Sequence, residues 1–225
     1  MPAQIVSITV GMPQTIDQEK PWSSGFIKAP VVEPLWLGST NLAGDGQADT
    51  EHHGGPHKAV CVYPADHYPY WHDTLELAEF PWGSFGENFT VAGLTETDVC
   101  IGDVWAVGEV LVQVSQPRQP CWKLARRWQV KDLALQVQQT GRTGWYFRVL
   151  REGQVEAGMP ITLAERSEPD WTVAVANHVM HHDKRNHDAA AALAAVPTLS
   201  PSWKETLNNR AARNAEVDPQ KRLEG

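Results

Sequence analysis

The sequence predicts a mainly β chain with helices (β/α), a β-barrel core carrying a small C-terminal three-helix appendix. Three observations point there. Short β-branched and aromatic runs recur through the first two-thirds, and glycine- and aspartate-containing turns separate many of them. After about Ser167 the texture changes to cap-and-stripe segments rich in alanine. Regular strand–helix alternation is missing, which disfavours a parallel α/β repeat. The expected boundaries are 1–166 for the barrel domain and 167–225 for the extension.

The first strand is Ile5-Val6-Ser7-Ile8-Thr9-Val10, whose alternation suits a half-buried strand. Further strands are expected over 31–37, 59–63, 104–107, 111–115, 145–150 and 161–164. Ala43-Gly44-Asp45-Gly46 and Ile101-Gly102-Asp103 read as turns. Over 64–78, Tyr68, Trp71, Leu75 and Ala78 fall at helical spacing and form one apolar stripe. A second helix is expected over 130–139, with Leu133 and Val137 on one face and Gly141 ending it. In the extension, Thr172 caps a helix reaching Met180, residues 188–196 form a second, and Ser200-Pro201 opens a third. Residues 216–225 are expected to fray.

With 225 residues the chain can bury a sizeable core. A net charge of −8 argues against nucleic acid or an anionic membrane surface as partner. No apolar run approaches the roughly 20 residues of a spanning helix, and the N-terminus lacks a basic-then-apolar leader pattern. Three scattered cysteines, Cys61, Cys100 and Cys121, make no disulfide framework. The expectation is a cytoplasmic protein in a reducing compartment.

The chemistry centres on Gln116-Pro117-Arg118-Gln119-Pro120-Cys121, which follows the valine-rich run Val110-Leu111-Val112-Gln113-Val114. Two prolines fix φ angles on the way to the thiol, and a neighbouring arginine lowers the cost of a thiolate. The other two cysteines lie in apolar strand contexts and read as core. Glu51-His52-His53-Gly54-Gly55-Pro56-His57-Lys58 is the second polar cluster: the glycines permit a sharp bend, and Lys58 adds a cation to a turn whose amides can face an anion. A zinc centre of His52, His53, His57 and His67 matches no zinc spacing. A polar surface turn is the plainer reading. In Phe85-Gly86-Glu87-Asn88-Phe89, Glu87 and Asn88 need buried partners between aromatics. Arg118, Arg142 and Arg148 could gather around an anion, though singly each is commonly a surface charge. Ten tryptophans mostly suit a core, with Trp71, Trp105 and Trp145 at apolar positions.

Taken in order, these clusters resemble the MOSC domain, named for the C-terminal region of molybdenum cofactor sulfurases. The matching segments are Ser24-Gly25-Phe26-Ile27-Lys28, Leu42-Ala43-Gly44-Asp45-Gly46-Gln47-Ala48-Asp49 and His53-Gly54-Gly55-Pro56-His57-Lys58-Ala59-Val60. Phe85-Gly86-Glu87-Asn88-Phe89-Thr90, Ile101-Gly102-Asp103 and the Cys121 hexapeptide complete the set, from about residue 20 to 165. The tail is similar to the three-helix extension of YiiM-type members. The resemblance implies a barrel that carries molybdenum cofactor (Mo-molybdopterin), with Cys121 on the metal. Lys28, Lys58, Arg118 and Arg148 would meet the phosphate and pterin, while His53, Gly54, Gly55, Glu87 and Asn88 would line or support the pocket. His53 could move protons, though a packed, hydrogen-bonding histidine is the plainer reading, and Asn88 joins Cys121 and His53 as a catalytic candidate. The implied activity is reduction of N-hydroxylated compounds such as hydroxylaminopurines and amidoximes. No flavin, haem or iron–sulfur motif is visible, so electrons would come from a separate flavoprotein or iron–sulfur protein. Two alternatives are a sulfur carrier using a Cys121 persulfide and a non-catalytic cofactor-binding module.

Overall fold

A computed structural model describes residues 2–17, 21–49, 53–75, 77, 79–213 and 218–224. Ala78 of the expected helical stripe, and Glu51 and His52 of the histidine cluster, lie outside the described residues. Twelve strands are present among the described residues: β1 (Gln4–Val10), β2 (Gln14–Ile16), β3 (Trp22–Ser24), β4 (Ala29–Val31), β5 (Leu35–Leu37), β6 (Val60–Pro64), β7 (Phe89–Ala92), β8 (Val104–Val107), β9 (Val110–Pro117), β10 (Trp145–Arg151), β11 (Gly153–Val155) and β12 (Thr162–Glu165). Seven α-helices accompany them among those residues: α1 (Tyr68–Leu75), α2 (Lys123–Trp128), α3 (Leu133–Thr140), α4 (Val173–His181), α5 (His187–Ala194), α6 (Pro201–Ala211) and α7 (Gln220–Glu224). No described helix is long and apolar enough to cross a membrane.

Eight strands form one mixed sheet in the order β12-β8-β9-β10-β6-β7-β1-β4, with β6 and β7 parallel. β1 meets β7 and β4 antiparallel, and a register shift between Ile5 and Ser7 marks a bulge. Its N-terminal end also bonds the segment that runs into β12, at the far end of the strand order. Ile5 N–H donates to the Met159 carbonyl at 3.0 Å, Gly158 N–H to that of Ile5 at 2.7 Å, and Ile161 N–H to that of Ala3 at 3.0 Å. These bonds turn an open sheet back on itself, which is the expected barrel architecture.

The chain divides into two compact units. One comprises the described residues within Met1–Leu94, Val104–Gln113 and Tyr146–Glu165; the other comprises those within Thr95–Asp103, Val114–Trp145 and Arg166–Gly225. The first is built on the sheet. Its core includes an aromatic cluster in which Tyr63 stacks on Phe85 with ring centroids 4.0 Å apart, and Trp71 Nε1–H donates to the Tyr63 hydroxyl at 2.6 Å. The second gathers the C-terminal end of β9 and the first residue of β10 with helices α2 to α7, around Trp145, Leu124, Val137, Val173, Leu193 and Trp203, all buried.

Most sequence expectations match elements to within a residue or two, and the departures have physical causes. The strand expected over 31–37 is split into β4 and β5, with Pro34 in the break unable to donate a ladder bond. Helix α1 is preceded by a 3₁₀ turn at Ala65–His67. Helix α3 ends at Gly141, which takes the left-handed conformation at φ 71°. Thr172 caps α4, its hydroxyl accepting from Val175 N–H at 3.1 Å, and Pro201 occupies the first turn of α6. Of the segment expected to fray, residues 216, 217 and 225 lie outside the described residues, and Gln220–Glu224 form α7. There Asp218 Oδ1 accepts from Gln220 N–H at 2.9 Å, and Gln220 bonds Glu224 one turn on at 3.0 Å.

Candidate functional site

In the sheet unit, the loop leading into β6 carries the histidine–glycine cluster. His53 N–H donates to the Asp49 carbonyl at 3.1 Å, and Lys58 N–H to the Gly55 carbonyl at 2.9 Å closes a turn over 55–58. Gly54 and Gly55 both hold positive φ, 82° and 80°. A Cβ at Gly54 would stand 2.4 Å from Gln47 Oε1, whereas one at Gly55 would meet nothing within 4 Å. Gly54 is therefore demanded by packing and by φ, while Gly55 leaves a bare backbone beside open space.

Three basic groups of this unit act on one another electrostatically. Burial, then the nearby Arg148 and Lys58 charges, hold His57 below the ordinary imidazole value. Burial lowers Lys58 as well, with Asp49 opposing it, and lowers Arg148, whose guanidinium donates to Gln113 Oε1 at 3.1 Å. Such a cluster favours a bound anion, which would offset the cost of burying its charges.

The same unit contains a bonded polar network. Lys28 pairs with Asp45 out of solvent. Asp45 also accepts from Gly11 N–H at 2.9 Å and from the Asn88 side chain at 3.0 Å. The Asn88 amide donates a second bond to the Thr9 carbonyl at 3.2 Å, and its oxygen accepts from Cys61 N–H at 3.0 Å. One side chain thus joins β1, β6 and the Asp45 turn. The buried Glu87 carboxylate accepts from Gly83 N–H at 2.8 Å, Phe85 N–H at 3.1 Å, the Thr90 hydroxyl at 3.0 Å and the Tyr68 hydroxyl. Burial, and next the Glu87 charge, push the Tyr68 phenol well above its usual range. Glu87 and Asn88 therefore spend their bonding capacity inside the protein.

The helical unit holds the thiol. Strand β9 ends at Pro117, and the loop through Arg118 to Cys121 runs directly into α2. Arg118 and Cys121 are buried, at 5% and 8% exposure, and Arg118 N–H donates to the Gly144 carbonyl at 3.0 Å. Leu124 N–H donates to the Cys121 carbonyl at 3.1 Å, and α2 opens two residues after the thiol, at Lys123. Asp103 of the Gly102-Asp103 turn is buried in this unit, its carboxylate held by Arg166 through contacts of 2.8 and 2.6 Å and by Cys100 N–H at 2.8 Å. That turn is an anchor for the backbone.

Two residues beyond the sequence-level candidates stand out. His57 was visible only as part of the cluster; its coupling to Arg148 depends on β10, some 90 positions on. Arg222 gave no sequence signal, yet its guanidinium donates to the Pro120 carbonyl and to Gln138 Oε1, the latter at 2.7 Å. No described group of three or more histidines, cysteines or acids could hold a metal ion by itself.

Residues 49–162 match the MOSC domain. The chain belongs to the MOSC domain family. Residues 171–213 match the YiiM-like 3-alpha helix domain, covering α4 to α6. Similar proteins include YflK of Bacillus subtilis (strain 168), 46% identical over 95% of this chain and 97% of its own length. YiiM of Escherichia coli (strain K12) is 39% identical over 98% of both. The crystal structure of YiiM from Geobacillus stearothermophilus covers 93% of this chain and 100% of its own at a TM-score of 0.80, with 43% identity. A Gibberella moniliformis (strain M3125 / FGSC 7600) protein named reductase is 38% identical over 143 residues, 62% of this chain and 25% of that protein.

Proposed function

We propose that this MOSC protein is a molybdenum-cofactor-dependent reductase of N-hydroxylated compounds, hydroxylaminopurines and amidoximes among them. Cys121 would be the thiolate ligand to molybdenum, and a separate flavoprotein or iron–sulfur protein the electron donor. The observation that carries this reading is the buried Cys121, fixed between a proline-bounded strand end and the start of α2 in a chain of this family. The fungal relative named reductase supports the reaction class.

Each unit carries groups of the kind the cofactor needs. A soft thiolate suits a metal already held by dithiolene sulfurs. The basic group of His57, Lys58 and Arg148, with the open backbone at Gly55, offers a phosphate the charges and approach it needs. When bound, the cofactor supplies the two-electron chemistry of N–O cleavage, so that N–OH plus two electrons and two protons gives N–H and water. The chain supplies the rest. Lys58 and Arg148 would hold the phosphate, with His57 in their electrostatic neighbourhood. Arg118, buried beside the thiol loop, balances negative charge there. His53 heads the glycine turn and is assigned to proton delivery. Asn88 and Glu87 hold turns and strands of the sheet unit, where Lys28 is engaged with Asp45. A sulfur carrier must offer its sulfur to a partner, and an 8% exposed Cys121 suits a ligand better.

The test is reduction of benzamidoxime and 6-hydroxylaminopurine by protein from a cofactor-competent host, with reduced viologen as donor. Wild type converts them to amidine and amine, and Cys121→Ser does not. Cofactor-loaded wild type that leaves every N-hydroxylated substrate intact would defeat the reductase reading and leave a binding module.

A further inference from the structure

We propose that α7 is a C-terminal clasp on the thiol loop, with Arg222 as the positioning residue that holds Cys121 in place. The purpose assigned to it, metal ligation, rests on the ligand reading above; the clasp itself does not. Arg222 brackets the cysteine. Its guanidinium donates to the carbonyl of Pro120, one residue before the thiol. Its own carbonyl accepts from the N–H of Trp122, one residue after, at 2.9 Å. The second guanidinium nitrogen donates to Gln138 Oε1 on α3 at 2.7 Å, which fixes the fork's direction.

Each of these bonds answers a local need. Trp122 stands at the N-cap of α2 and no side chain caps that helix, so the carbonyl from α7 takes a donor that would otherwise face the helix start unmet. Pro120 precedes the thiol and has no N–H, which leaves its carbonyl as its one means of attachment. A planar guanidinium can serve two acceptors in fixed geometry, which an ammonium cannot. Burial lowers Arg222 from its ordinary value while the neighbouring Cys121 opposes that, as expected for a cation turned inward at a thiol. Helix α7 has five residues, too short to persist by its own hydrogen bonds. Its order comes from docking, so the clasp can open without unfolding the rest.

Peptide-resolved hydrogen exchange on ligand-free protein tests this. Arg222→Gln, Arg222→Lys and a chain lacking residues 218–225 are compared with wild type and with Lys204→Gln as a distant control. Exchange over 119–126 should quicken about tenfold or more in Arg222→Gln and in the shortened chain, with Arg222→Lys between. Exchange in β6 should stay unchanged. Equal rates over 119–126 in all variants, or acceleration everywhere, would overturn the clasp. Molybdenum content then separates the two ideas. If Arg222→Gln shows the local opening and keeps less metal than wild type, the positioning role stands; wild-type metal content in that variant overturns it. Metal absent from wild type as well counts against the ligand reading and leaves the clasp to the exchange result.

Discussion

Asn88 spans three pieces of backbone with one amide, and removing it strands an acceptor on Asp45, a donor on Cys61 and the carbonyl of Thr9. Asn88→Ala should therefore cost about 2–4 kcal/mol in urea unfolding, since several buried groups lose partners at once. Lys58 and Arg148 should behave in the opposite sense. Both carry charges that burial disfavours, so Lys58→Gln and Arg148→Gln should leave stability unchanged or raise it by about 1 kcal/mol. The same variants should retain less pterin after purification. Destabilisation by either, with full cofactor content, would recast them as structural. Cys121 needs neither pattern: its role is read in the metal.

Helix α2 shows what local sequence withholds and why. Lys123-Leu124-Ala125-Arg126-Arg127 is a run of good helix formers, but no capping side chain announces its start, and the pattern before it is that of a strand ending in prolines. Its start is secured by the Trp122 bond to Arg222, which no window of ten residues contains. Helix α4, with Thr172 as its cap, was legible because its start signal is local. The same contrast governs the site. Lys28, Gly54, Lys58, Glu87, Asn88, Arg118 and Cys121 are marked by motif. The Asp45 pairing, the His57–Arg148 coupling and the α7 clasp arise from chain segments far apart in sequence.

Across the whole molecule, a half-buried histidine in the helical unit ties folding to acidity. His181 packs with its ring edgewise to Trp203, and its buried Nε2 has no hydrogen-bond partner among the described residues. Burial, then the charges of Arg222, His182, Lys184 and Arg210, lower it from the usual imidazole value to about 3. An unfolded chain takes up that proton near pH 6.5, whereas the folded one resists until about pH 3. The stability contributed by neutral His181 is thus fully present above pH 6.5 and is lost as pH falls toward 3, by roughly a few kcal/mol. Urea midpoints at pH 7, 5.5 and 4.5 should decline, and His181→Phe should flatten that decline. A variant with the wild-type acid limb would show that other groups set it.

The central claim is that Cys121 holds molybdenum. Its most direct test is the molybdenum and pterin content of protein purified from a cofactor-competent host, wild type beside Cys121→Ser, Cys61→Ala and Cys100→Ala. Near-stoichiometric metal in wild type and in the last two, with metal depleted or its spectrum altered in Cys121→Ser alone, is the predicted result. Metal-free wild type carrying sulfane sulfur on Cys121 would contradict it and make the protein a sulfur carrier.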